Sequence, residues 1–232
     1  MAMMRLLALS ILLIACGGHS DDHASADAAH QLDGAGSGSG SGSGGSCAHR
    51  TLYLAATGGH YAPGADDSRA NTSSILGMAA DLPAYPGTDF AAVKACIVAG
   101  LADFPVDVTD VDPGTAEHVE LVFTTQIPGL TAQPGVASAG CTARPNGLAF
   151  VAGSNIHNTP AVCGVALGLF GVTEGLDFTS DAHDFMDFNV CTSGCSFADA
   201  QETCDSGTPG TCLCSTGTTE DTATKLRAAL CN

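Results

Sequence analysis

The stretch GVALGLFGVTEGLDFTSDAHDFMDFN, residues 164–189, changes character halfway along. From Pro160 to about Val172 the chain is apolar on every side, which predicts a fully buried segment, and Pro160 suits the first turn of a helix, where its missing N–H is no loss. Gly164, Gly168 and Gly171 each cost about 1 kcal/mol of helix propensity relative to alanine, so such a helix must lean on close packing. Past Gly175 the composition turns acidic and aromatic, with Asp177, His183, Asp184 and Asp187 around Phe178, Phe185 and Phe188. A turn is expected at Gly175.

Working outward, RTLYLAA (Arg50–Ala56) alternates and reads as a strand. GGHYAPGADDSRANTSSI (Gly58–Ile75) is rich in Gly, Pro and Asp and reads as a loop. Asp89–Ala102 spaces Phe90, Val93, Ile97, Val98 and Leu101 as a helix does. FPVDVTDV (Phe104–Val111) and HVELVFTT (His118–Thr125) read as strands separated by a turn at Asp112-Pro113-Gly114, and GLAFVAG (Gly147–Gly153) as a further strand. From Cys191 the chain becomes cysteine-rich, with Cys191, Cys195, Cys204, Cys212 and Cys214 set among Gly, Ser and Thr. A closing helix is expected over Thr219–Leu230, pinned by Cys231. Residues 47–232 have the length of one domain.

The chain opens with MAMMRLLALSILLIAC. Arg5 supplies a positive start, and Leu6–Ala15 form an apolar run too short to span a bilayer. The segment resembles a bacterial lipobox, which implies a signal peptide over residues 1–15, cleavage before Cys16 and lipid on the Cys16 thiol. Residues 16–46 are then the lipidated cysteine and a flexible tether ending in GAGSGSGSGSGGS, with a reach of about 30 Å. His19, His23 and His30, beside Asp21, Asp22 and Asp27, solvate the spacer or weakly hold a metal. The expected place is the cell envelope, lipid-anchored to a bacterial membrane, with the outer membrane as the assigned one and the domain extracytoplasmic. The net charge of −17 argues against nucleic acid or anionic lipid as a partner. Of the 11 cysteines, Cys16 is taken by the lipid, which leaves the others as an even set. In an exported protein that predicts disulfides rather than zinc, with no connectivity legible.

Gly175-Leu176-Asp177-Phe178 is similar to the Gly-Leu-Asp-His that carries the third zinc ligand of metzincin-type proteases. Asp184-Phe185-Met186-Asp187-Phe188 is similar to the Met-turn beneath their metal, with Met186 in the methionine position. LYLAATGGHYAPGADDSRANTSSI, FPVDVTDVDPG and CSFADAQETC also resemble segments of bacterial exported, cysteine-rich metzincin-like lipoproteins. The resemblance implies an α+β, zincin-like fold: a twisted mixed sheet, a backing helix and a former active-site helix, with a disulfide-rich C-terminal part. The zinc motif H-E-x-x-H-x-x-G-x-x-H places imidazoles on one helix face around Zn²⁺, with the glutamate polarising the attacking water. With Gly175 as the motif glycine, those positions hold Gly168, Leu169, Val172 and Phe178. A second register, with Gly168 as that glycine, gives Ala161, Val162, Val165 and Gly171. Neither register supplies a zinc ligand.

His157, Glu174, Asp177 and His183 surround the lost motif and are the candidates for a rebuilt metal site. The competing expectation is that Asp177 and Asp184 cap turns while His183 is exposed. Asp66, Asp67 and Asn71 carry oxygens that suit Ca²⁺, or else cap a helix. Ser73 and Ser74 lack a nucleophile context. Cys163 reads as a disulfide half or buried thiol. The leading functional expectation is an inactive metzincin-like domain that binds a protein or peptide in its old cleft, with no cofactor and the lipid-bearing membrane as its other partner. The alternatives are an active metallopeptidase with a rebuilt, non-standard site holding zinc, and a purely structural envelope protein.

Overall fold

A computed structural model describes residues 47–231 except 48, 88, 131, 132, 157 and 188. Cys16 and the tether lie outside the described residues. The elements in chain order are β1 (Arg50–Ala55), β2 (Gly59–Pro63), β3 (Thr72–Ser73), β4 (Ala80–Leu82), α1 (Phe90–Gly100), β5 (Val106–Thr109), β6 (Val119–Thr124), β7 (Gly135–Ala137), β8 (Leu148–Ala152), α2 (Thr159–Thr173), β9 (Glu202–Thr203), β10 (Thr219–Glu220) and α3 (Thr222–Leu230). The architecture is mixed α+β.

The main sheet has the order β5-β1-β6-β8-β7. Its first four strands run parallel, and β7 pairs antiparallel to β8 at the edge. β6 and β8 are buried along their whole length, the pattern of central parallel strands covered on both faces. On one face Leu52, Leu54, Leu121, Phe123 and Val151 pack with Val93 and Ile97 of α1 and Leu167 and Phe170 of α2. On the other, Val122, Leu148 and Phe150 pack with Tyr61, Leu76 and Leu82.

Of these, Tyr61 belongs to the stretch Gly58–Ile75 that reads as loop in the sequence, whereas Leu76 and Leu82 lie beyond it. That stretch instead supplies β2 and β3 of a small sheet of order β3-β2-β4. Its strands are two to five residues long, too short for a period to show, and side chains close the turn between them. Asp66 accepts from Ser73 Oγ and Ser74 N–H, each at 2.9 Å, and from Arg144 Nη1 at 3.0 Å. Asp67 caps a short 3₁₀ turn that ends at Asn71, in the left-handed region at φ 51°. The carboxylates suggested for Ca²⁺ are therefore engaged by protein donors, and the capping expectation describes Asp67.

The strands around Asp112-Pro113-Gly114 do not pair with each other, because β1 lies between them, parallel to both. β7 has no counterpart in the sequence reading; three half-buried residues leave no pattern to detect. α3 begins at Thr222 rather than Thr219, since Asp221 caps it by accepting from Thr224 N–H at 2.8 Å. Residues 219–220 are drawn into pairing with 202–203.

The disulfides join Cys47–Cys231, Cys96–Cys163, Cys141–Cys214, Cys191–Cys195 and Cys204–Cys212. Cys163 is thus a disulfide half linking α2 to α1. This richness points to an oxidising, extracytoplasmic setting. Among the described residues no helix is long and apolar enough to cross a membrane.

Candidate functional site

Helix α2 organises the site. Asn158 caps its start by accepting from Ala161 N–H at 2.9 Å, and Pro160 lies in its first turn. Its end closes at Gly175, whose φ of +83° is the left-handed conformation that favours glycine. Leu176 N–H donates to Gly171 O at 3.0 Å and Gly175 N–H to Val172 O at 3.1 Å. These are the paired bonds of a Schellman ending.

The three helix glycines let another piece of backbone approach. A Cβ on Gly164 would collide with the Cys191 carbonyl, and one on Gly171 with Met186 Sδ. A Cβ on Gly168 would lie 2.8 Å from Phe185 O. Segment 185–191 is therefore seated on α2, and the propensity lost at the glycines is offset by that contact. Met186 is fully buried beneath the helix. Its turn is held by Asp184, which accepts from Met186 N–H at 3.0 Å and from the hydroxyls of Thr179 at 3.2 Å and Thr222 at 2.9 Å. Burial pushes the Asp184 carboxyl up to about 6.

Between β7 and this assembly lies a cavity. Gln133, Pro134 and Gly135 form the strand wall. Gly164, Val165, Gly168 and Leu169 form the helix wall, and Phe178, Phe185, Asp187 and Val190 the third side. Gly168, Leu169 and Phe178 of the preferred register thus meet in one place. Val172 is buried but is not among the lining residues. Of the second register, Val165 alone lines the cavity. The walls are mainly apolar, with Asp187 as the ionisable lining group.

Among the described residues, Glu174, Asp177 and His183 of the suggested rebuilt metal set form no common cluster. Glu174 is buried beside Arg50, whose Nε lies 3.3 Å from its Oε1; burial raises its carboxyl to about 7, against the pull of Arg50. Asp177 accepts from the backbone N–H groups of Leu213 at 2.7 Å and Cys214 at 3.1 Å, which fixes the cysteine-rich loop. His183 is exposed, and His157 lies outside the described residues. One group of potential ligands, Asp177, Cys204 and Cys212, lies within 4.8 Å. Its two sulfurs are joined to each other and so are not thiolates, the form that binds a metal. Ser73 donates to Asp66 and Ser74 contacts Asp66 and Ser138, with no histidine in these bonds, and the Asp66 carboxylate is already paired with Arg144.

Three features escaped the sequence reading. Val190 has φ 67°, an outlier for a β-branched residue, and nothing in its sequence context announces that. Asp187 stood in the Met-turn segment without a role of its own. Glu120, on the far face of the main sheet, is 2% exposed and accepts from Tyr61 Oη at 2.8 Å; burial raises it to about 7. An acid inside the apolar run VELVF was the available signal for it. No protein-family model matches the chain, and no curated protein or solved structure matches it significantly.

Proposed function

We propose that this is an exported, membrane-anchored lipoprotein whose zincin-like domain has lost its metal chemistry and binds an extended protein segment in the remaining cleft. The observation that carries the reading is the convergence of Gly168, Leu169 and Phe178 on one mainly apolar cavity beside β7. No lining residue offers an imidazole to zinc, and three imidazoles on one ion are what this chemistry needs. The zincin-like fold is supported by the mixed sheet with one antiparallel edge strand, by α2 ending at Gly175, and by buried Met186 under that helix. β7 lies at the sheet edge, and an exposed edge can accept an extended chain through main-chain hydrogen bonds.

The test is a screen of extended peptides against the purified protein, together with metal analysis. Binding is expected, and Phe178→Asp should weaken it while leaving the melting temperature near that of the parent. Stoichiometric zinc accompanied by peptide cleavage would overturn the reading. Restoring the zinc motif is harder than the sequence alone suggests. Gly168→His places its Cβ against the Phe185 carbonyl, so the quadruple change Gly168→His, Leu169→Glu, Val172→His, Phe178→His should gain zinc only if segment 185–191 moves.

A further inference from the structure

Apolar walls explain why the cleft would take a side chain, but not which one. Its chemistry is set by Asp187, which is 8% exposed although it lines the opening. Asn189 supplies the hydrogen bonds to this carboxylate, from its backbone N–H at 3.0 Å and its side-chain amide at 3.5 Å, and both fall on Oδ1. Among the described residues no donor is recorded for Oδ2. Oδ2 is not one of the buried side-chain oxygens left without a partner among the described residues, so the carboxylate is a mostly covered acceptor on the cavity wall that a ligand cation can meet.

The surroundings sharpen the sign. Burial raises the Asp187 carboxyl, and Asp181 and Asp205 push it further in the same direction. The lining residues include no Lys, Arg or His. The negative potential on this side of the cavity is therefore unopposed from within it. The adjoining wall residue Val190 is held at φ 67°, and strain of this kind concentrates where a site must keep a set shape.

We infer that the cleft selects an extended peptide by a basic side chain, a lysine whose aliphatic stem lies along Val165, Leu169 and Phe178 and whose ammonium meets Asp187. Lysine fits both parts of the site, because its methylene stem is apolar while its head is a compact cation with several donors. An acidic residue would meet a like charge on Asp187, and an aliphatic one would bring no cation to a wall whose lining has none. This inference rests on the peptide-cleft reading above and adds the selectivity of that same site.

The test uses the full chain and one family of extended, capped peptides differing at a single central position: lysine, norleucine or glutamate. Binding is measured by fluorescence anisotropy at low and high salt. Lysine should bind at least about tenfold more tightly than norleucine, as expected when a hydrogen bond between charged groups is gained, and glutamate most weakly. Asp187→Asn should bring the lysine peptide down to the norleucine level and leave the norleucine peptide unchanged. Equal binding of lysine and norleucine by the unmutated chain would overturn the selectivity while leaving the cleft reading intact. Failure of all three peptides to bind would overturn both. The comparison on the unmutated chain does not depend on how the variant folds.

Discussion

The sheet-and-helix half of this protein and its C-terminal third are held together by different forces. Up to Thr173, buried strands and two helices stack Leu, Val, Ile and Phe into continuous layers. From Glu174 to Asp221 the regular structure consists of two-residue strands, and buried acids do the organising. Asp177 anchors the amides of Leu213 and Cys214, Asp184 anchors the Met186 turn, and Glu220 accepts from Asp177 N–H at 2.8 Å and from Lys225 at 2.6 Å. The lesson is one of backbone accounting. A segment that forms no ladder must satisfy its N–H groups by other means; here buried carboxylates accept from several of them, while short-range disulfides close the loops. The cleft lies along the seam, with its strand and helix walls from the first part and its third side from the second.

The sharpest test of that contrast is to cut disulfides of different reach. Cys47–Cys231 closes a loop with a sequence separation of 184 and ties the start of the domain to the end of α3. Chain-entropy reasoning gives its loss about 5 kcal/mol, against about 2 for the four-residue separation of Cys191–Cys195. Paired Cys→Ser variants compared by denaturant unfolding should show that order, and equal losses would break the entropic account. Next in size, Phe170→Ala removes a fully buried ring of α2. It should cost about 3–5 kcal/mol and lower the whole transition rather than part of it.

Acidity acts on both halves at once. Burial holds Glu120 and Glu174 at about 7 and Asp184 at about 6, above unfolded values of 4.5 and 3.8. Between those limits the folded state binds more protons than the unfolded one, so these groups stabilise the fold at low pH and lose that contribution as pH rises to about 7. The melting temperature should therefore climb as pH drops from about 8 to about 5. Glu120→Gln should flatten part of that climb, and a falling melting temperature would contradict the assignment. The smallest expected effect is local. Asp177→Asn keeps one acceptor and should cost about 1–3 kcal/mol. Hydrogen exchange should quicken at Leu213 and Cys214 while the amides of β6 keep their protection; loss of protection in both would mean that the halves do not open separately.

Local chemistry made much of the first half legible. The apolar run from Pro160 predicted α2, and the spacing of Val93, Ile97 and Leu101 predicted α1, because a buried helix face leaves a period in the sequence. Gly175 marked the helix end for the same local reason, that a left-handed turn favours glycine. β7 and the sheet of β2, β3 and β4 were not legible, since strands of a few residues take their identity from partners far along the chain.

For the site, sequence by itself determined that Gly168, Leu169, Val172 and Phe178 have no side-chain lone pair to offer a metal. It also determined an even set of cysteines beyond Cys16 and a strongly acidic chain. Only the tertiary structure decided which cysteines pair, that three of those motif positions share a cavity, and that the Phe185 carbonyl sits where a Gly168 side chain would begin. It also decided that Asp187, unremarkable in the sequence, is a desolvated acid in a cavity wall. Residue identity settles which lone pairs a chain can offer, whereas burial and long-range approach depend on residues distant in sequence, and no local pattern records them.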